Sequence, residues 1–426
     1  MFKILVLCLF IINLNAKEVY NVDELLVEAL KNSPDIQTSL SEYKASKSRK
    51  DIATSSYLPK VDLHLGLGEM GIKNTQTNGM TNDTLIMGKL SLRQLIYDFG
   101  KTSGDVDFAK YDSESYFNLN EQKISDKKRD VKLSYYGVLE SIALIDVAKE
   151  NLKLNKIQLY RSQKYFEAGI KTKIDVSDAK VQLIKSKLNL KQTQYDLKMA
   201  YASLDEVVGF EEATKSYVVY SYTLDLDNIY STLKDYPLNL NEAIEFAYHN
   251  RYEIKRYLFD IKAKEALNKS TKADLYPKLY LDADYTKQDT DKLQDYIPED
   301  QWQGTLNLDW NIYSGGATTA SMQEKRIGVE ISKSKLRTLK LSIKKETTQA
   351  YLNLYKMKDS IELSQSLLEV SKEKFEQAQK RYEHGLSDYI EIQQAREGYI
   401  DAKVSLVIDY YKYFKAITTL DNVIGR

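Results

Sequence analysis

Between Trp302 and Ile312 apolar and polar residues alternate, with Trp302, Leu306, Leu308, Trp310 and Ile312 set against Gln303, Thr305, Asn307, Asp309 and Asn311. A period of two predicts a strand with one apolar and one polar face. Val61–Gly68 repeats the pattern, placing Val61, Leu63, Leu65 and Leu67 opposite Asp62, His64, Gly66 and Gly68. In Leu279–Tyr285 the apolar face is Leu279, Leu281, Ala283 and Tyr285, opposite Tyr280, Asp282 and Asp284. Lys89–Leu95 is a weaker member, with Leu90 and Leu92 flanked by Ser91 and Arg93. Strands of about this length cross a bilayer when tilted. Tyr57, Tyr97, Trp302 and Tyr313 gather near the strand ends, as interfacial aromatic girdles do. The pattern therefore predicts membrane strands with lipid on one face and water on the other.

Elsewhere the apolar period is seven. Val131, Val138, Ile145, Leu152, Leu159 and Phe166 fall every seventh residue, and Leu354, Ile361, Leu368, Phe375 and Tyr382 do the same further on. After a short interruption Val176, Leu183, Leu190, Leu197 and Leu204 continue the period in the first series, and Ile392, Tyr399, Leu406, Tyr413 and Leu420 in the second. Such heptads predict long helices wound around one another. Gly169 and Gly385 sit at the two interruptions, where a left-handed residue ends one helix and lets the chain reverse as a helical hairpin. A helix over residues 101–168 would be roughly 100 Å long at about 1.5 Å per residue.

The two series belong to an internal duplication. Ser56–Gly68 returns at Leu275–Tyr285, with Pro59 matching Pro277. Leu92–Thr102 returns at Leu308–Thr318, with Tyr97 matching Tyr313, and Val22–Ile36 returns at Leu240–Ile254. The offset is 218 residues at the prolines and 216 at the tyrosines, so two residues are lost in the polar stretch Gly71–Thr84, which reads as a loop. Each copy has one order: short helix, strand, loop, strand, long helix, glycine turn, shorter helix. The expected organisation is a leader at 1–16, a first repeat at 17–210, a linker at 211–236 and a second repeat at 237–426.

The leader rests on a basic start at Lys3, an apolar run Ile4–Ile12 and a small residue, Ala16, suited to cleavage. The only cysteine, Cys8, falls inside it, which leaves the mature chain without a thiol for a disulfide, a thiolate metal site or a lipid anchor. Lys plus Arg equal Asp plus Glu at 61 each, so net charge does not point to nucleic acid. Beyond the leader there is no apolar run long enough for a membrane helix, so any passage through lipid must be by strands. There is no Gly-rich phosphate loop, HExxH or GxSxG, and His64, His249 and His384 are scattered; an enzyme is not expected, and neither is a cofactor. Asp282, Asp284 and Asp309 could meet around a cation if their strands pair, or simply make one face polar.

Four strands cannot close a barrel, and an open sheet edge is not tolerated in lipid. Several chains must pool their strands: two would give eight and three would give twelve.

The ordered set of the LNEAIEFAYHNRYEI opening, the YPK strand start, the LDWNIYSGGAT strand-to-helix passage and the RYEHG…YIEI turn, present twice, resembles the TolC-like outer-membrane efflux proteins over essentially the whole mature length. The resemblance implies a mainly helical fold with a membrane β-barrel. A homotrimer would form a twelve-stranded barrel in outer-membrane lipid, continued by a helical barrel across the periplasm. It implies an exit duct that works with a periplasmic adaptor and an inner-membrane pump.

The turns, with Phe166, Gly169, Ile170, Tyr382, Gly385 and Leu386, match the family's adaptor-docking surface. Asp175, Tyr382, Glu391 and Gln394 match the lock at its periplasmic entrance. Two positions depart from the family: Gln394 replaces the second acid of the entrance ring, and Ser387 replaces a linking basic residue. The alternative for Asp175 and Glu391 is that of ordinary first-turn carboxylates, favoured by the helix dipole. The alternative for the whole chain is a secreted coiled-coil scaffold without a pore.

Overall fold

The computed structural model describes residues 18–73, 79–211, 217–221, 224–226, 228–291, 293 and 297–426, so the expected leader and Cys8 lie outside the described residues. In chain order the elements are β1 (Glu18–Tyr20), α1 (Val22–Asn32), α2 (Pro34–Thr54), β2 (Lys60–Lys73), β3 (Met80–Tyr97), α3 (Lys101–Glu167) and α4 (Lys173–Val208). There follow β4 (Tyr217–Val219), α5 (Leu240–Asn250), α6 (Tyr252–Lys272), β5 (Lys278–Asp289), β6 (Asp300–Asp309), α7 (Ala317–Glu383) and α8 (Tyr389–Ile424). The duplication is plain in this order. The chain divides into two compact units, each drawing on both copies.

One unit comprises residues 38–122 and 252–342 and carries a four-stranded antiparallel sheet in the order β2-β3-β5-β6. Its strands are longer than the alternating segments that announced them. β2 continues to Lys73 and β3 starts at Met80, the ladder running on through Gly71↔Asn82 to Lys73↔Met80. Much of the expected loop at Gly71–Thr84 is therefore strand, its polar residues lying beyond the apolar band. The last segment ends early instead: β6 stops at Asp309, and the indole N–H of Trp310 donates to the Leu275 carbonyl at 3.1 Å.

The other unit comprises residues 1–37, 123–251 and 343–426. It is built on the heptads. Val131, Val138, Ile145, Leu354, Ile361, Leu368, Leu406, Tyr413 and Leu420 are all buried. The expected single opening helix is two in each copy. Ser33, before Pro34, takes an extended conformation and separates α1 from α2, because proline disfavours a helical residue ahead of it. Arg251 breaks the second copy at the same place without a proline, its backbone equally extended. Matching capping boxes start the two opening helices, Asn21 with Glu24 on α1 and Asn239 with Glu242 on α5. The stretch expected as a linker supplies a short strand, β4, which pairs in parallel with β1.

The glycine turns have the geometry their sequence suggests. Gly169 and Gly385 have φ of +72° and +71°, and a Cβ on either would meet no neighbouring atom. Backbone conformation, not crowding, is what selects glycine there. Ile170 N–H closes on the Tyr165 carbonyl and Leu386 N–H on the Arg381 carbonyl, both at 2.8 Å, which satisfies the last helical carbonyls.

Candidate functional site

The sheet sorts its residues by register. Across its width, Leu63, Leu90, Tyr285 and Trp302 lie side by side, and Val61, Leu92, Ala283 and Gly304 form the next row. This apolar face is open: Leu67 is 78% exposed and Trp302 83%. A water-soluble sheet would bury such a face, and apolar patches of this kind mark contact with another surface.

On the opposite face the rows read Lys60, Arg93, Asp282 and Thr305, then Asp62, Ser91, Asp284 and Gln303. Arg93 bridges Asp282 at 3.5 Å and Asp309 at 3.2 Å, and its guanidinium lies 4.2 Å from the Tyr280 ring centroid. Lys89 pairs with Asp284 at 3.2 Å, and Asn307 donates to Asp282 at 2.6 Å. Asp282, Asp284 and Asp309 are thus divided between two cations instead of surrounding a third. Exposed ion pairs like these add little stability; they keep one face wettable. β2 and β6, at the two ends of the strand order, each pair on one side only among the described residues.

The second set of candidate residues lies at the hairpin turns. Phe375, Ala378 and Tyr382 of α7, Tyr389, Ile392 and Ala395 of α8, and Ala179 of α4 form a small core, against which Leu154, Leu159 and Tyr165 of α3 pack. Tyr382 is completely enclosed, its ring 6.0 Å from that of Tyr165, and burial pushes its phenol up from the ordinary range. It therefore holds the two hairpins together and cannot itself be presented at the surface. Phe166, its counterpart in the first copy, is half exposed, as are Ile170 and Leu386 more fully; with Gly169 and Gly385 they form the outward end of each turn.

The acidic positions are already engaged. Asp175 is the third residue of α4, where its carboxylate accepts from the Thr172 backbone N–H at 2.9 Å and hydroxyl at 2.8 Å. Glu391 holds the equivalent place on α8: its N–H donates to Asp388 at 2.8 Å and its carboxylate pairs with Arg381 at 3.1 Å. Gln394, one turn on, is exposed. The first-turn role and a role at an entrance are compatible for both acids.

One link escaped the sequence reading. The Lys171 ammonium donates to the Ser387 carbonyl at 3.2 Å and lies 5.0 Å from the Tyr382 ring centroid, tying turn to turn. Lys171 and Ser387 are repeat equivalents, 216 residues apart, so the offset itself pointed to them. Arg161 adds a second tie to Glu383 at 2.7 Å. Further along, Glu150 of α3 receives Lys403 at 2.6 Å and Tyr399 at 3.0 Å from α8, and Glu140 receives Lys415 at 2.6 Å. Of the histidines, His64 lies on the polar sheet face, His249 on α5 and His384 beside a turn, so they form no common site.

A family model described as "Outer membrane efflux protein" matches residues 25–210 and 243–426. Among solved structures, the fold is similar to that of a membrane protein from Pseudomonas aeruginosa, with a TM-score of 0.82 and 14% identity over 95% of this chain and 93% of that one. It is also similar to the Campylobacter jejuni CmeC outer membrane channel, with a TM-score of 0.81 and 16% identity over 95% and 85% of the two chains. The open state of the Neisseria gonorrhoeae MtrE outer membrane channel matches at a TM-score of 0.79 and 12% identity, over 95% and 88%. Among curated proteins none matches.

Proposed function

The chain belongs to the outer membrane efflux protein family, and on that premise we propose that it is the exit duct of a three-part export system. It is an outer-membrane channel of a Gram-negative cell that extends into the periplasm, a transport duct and not an enzyme. Each repeat, Lys17–Phe210 and Pro237–Arg426, supplies half of the subunit. Three subunits pool their strands into a barrel of twelve. An energised inner-membrane pump, bridged by a periplasmic adaptor, feeds small molecules or proteins into it.

The observation that carries this reading is the sheet: one apolar face left open, one charged face, and two edges that no strand among the described residues pairs. Such a sheet is stable in lipid only when closed. The adaptor meets Phe166, Gly169, Ile170, Gly385 and Leu386, which stand at the outward ends of the turns, with Tyr382 supporting them from within. Asp175, Glu391 and Gln394 surround the periplasmic entrance, and Tyr382 belongs to the lock by bracing the hairpins from within their core. Repeated by symmetry, Glu391 would focus negative potential on a narrow opening.

Reconstitution in planar bilayers tests the duct: the purified protein is expected to pass ions, and Glu391→Gln to change cation block. Gly385→Val tests the docking role. It is expected to abolish export in cells while leaving the assembled channel intact, and full export would overturn the role.

A further inference from the structure

The duplication predicts more than the existence of partners, because it carries a register. β2 and β5 are related by an offset of 218 residues and β3 and β6 by 216. The observed hairpins obey both offsets: Lys60 opposite Arg93 becomes Lys278 opposite Asp309. Between the repeats, β3 and β5 pair antiparallel with Arg93 opposite Asp282, Leu92 opposite Ala283 and Leu90 opposite Tyr285. The same offsets turn this internal junction into an external one, in which β6 takes the role of β3 and the β2 of a second copy takes the role of β5.

Resting on the duct reading, we propose that β6 pairs antiparallel with β2 of the neighbouring subunit so that Asp309 faces the partner's His64. Leu308 then lies against the partner's Leu65 and Leu306 against the partner's Leu67. Three features support this register over its neighbours. A slip of one residue would set apolar against polar faces, which the period of two forbids. A slip of two would place Asp309 against a second acid, Asp62, or against Gly66, and like charges directly opposite are unfavourable.

The third feature is charge. Arg93 and Asp282 form the ion pair of the internal junction. At the external one the polarity is reversed, with the acid on β6 and the basic residue on β2. Asp309 would then sit between Arg93 of its own chain, 3.2 Å away, and the partner's His64. Within its own chain His64 faces Lys89 on β3 and has Asp62 two residues along the same face. The neighbouring subunit thus completes a polar cluster that a single chain leaves half built.

Cysteine pairs test the register, in a Cys8→Ser background. A disulfide needs Cβ atoms about 3.5–4.5 Å apart, whereas positions displaced by two along a strand are about 7–8 Å apart. His64→Cys with Asp309→Cys is expected to oxidise to covalent trimers on a denaturing gel. Asp62→Cys or Gly66→Cys combined with Asp309→Cys should yield little. Leu65→Cys with Leu308→Cys reads the same register from the opposite face and leaves the Asp–His pair intact.

Preferential cross-linking of a slipped pair, or failure of both expected pairs in a preparation that is multimeric before oxidation, would overturn the register and leave the duct standing. A wild-type protein that is monomeric in detergent would overturn both.

Discussion

α4 and α8 are repeat equivalents of the same length, 36 residues each, and they live in different surroundings. α8 buries side chains along its whole length, from Tyr389 through Arg396, Leu406, Tyr410 and Leu420 to Ile424. α4 buries only Ala179, Ser186, Leu204 and Val208 among its described residues. A second apolar series on α4, Ile174, Val181, Leu188 and Tyr195, recurs every seventh residue and is exposed. Its counterparts on α8 are Ile390, Glu397, Val404 and Tyr411.

The neighbours explain the contrast. α8 is met by α3, through Glu150 and Glu140. By the duplication, the helix that should meet α4 is an α7, and α7 exposes Leu352, Leu363, Leu367 and Val370. In the proposed ring this α7 belongs to another subunit. One seam is therefore closed within the chain, by ion pairs as well as packing, and its twin waits for assembly with apolar residues.

The contrast can be broken most forcefully at the sheet. Leu306→Arg puts a charge on the apolar face midway between Trp302 and Trp310, where a basic residue near the bilayer midplane costs about 2–4 kcal/mol per subunit. Assembled protein should disappear from the outer-membrane fraction, while Thr305→Arg on the charged face should leave the yield near normal.

Next in size comes a matched pair of truncations. Leu406→Ala in the closed seam is expected to cost about 2–5 kcal/mol and to lower the melting temperature of the folded subunit. Leu188→Ala on α4 should leave that melt nearly unchanged and speed dissociation of the oligomer on dilution in detergent. Equal effects on both readouts would erase the distinction between the seams.

A smaller change is expected from Lys171→Ala, which removes the charged hydrogen bond to Ser387, an interaction of about 1.5 kcal/mol. The entrance should open more readily, seen as higher single-channel conductance. An unchanged current–voltage curve would remove Lys171 from the lock.

The smallest effect concerns pH. Burial pulls the Lys403 ammonium downward, but the hydrogen bond and charge of Glu150, with Tyr399, outweigh it and the net shift is upward. A raised native value means that this link contributes in full below the ordinary lysine range, about pH 10.4, and is lost as pH rises through the native value. Glu150→Gln should flatten that alkaline loss of stability.

Much of this was legible in the residues. Heptads at Val131 and Leu354 named the long helices, and alternation at Leu63 and Leu306 named the sheet, because each period states which face is buried or apolar. The ends of elements were less clear. β2 and β3 run past the apolar band into Gly71–Lys73 and Met80–Thr84, where backbone pairing continues and side chains no longer report it. The break at Ser33 is signalled by Pro34, whereas Arg251 carries no such signal.

At the turns, glycine spacing located the hairpins, yet periodicity could not say that Tyr382 is sealed while Phe166 is open. That difference comes from which hairpin lies over which. Lys171 was missed for a related reason: its partner is a backbone carbonyl, which side-chain chemistry does not reveal.

The account stands on the incompleteness of the single chain, and its mass in detergent tests that most directly. Native mass spectrometry of the protein extracted from outer membranes should give three times the mass of the mature chain, with no stable smaller species. A species with the mass of one mature chain, extracted by salt without detergent, would contradict it.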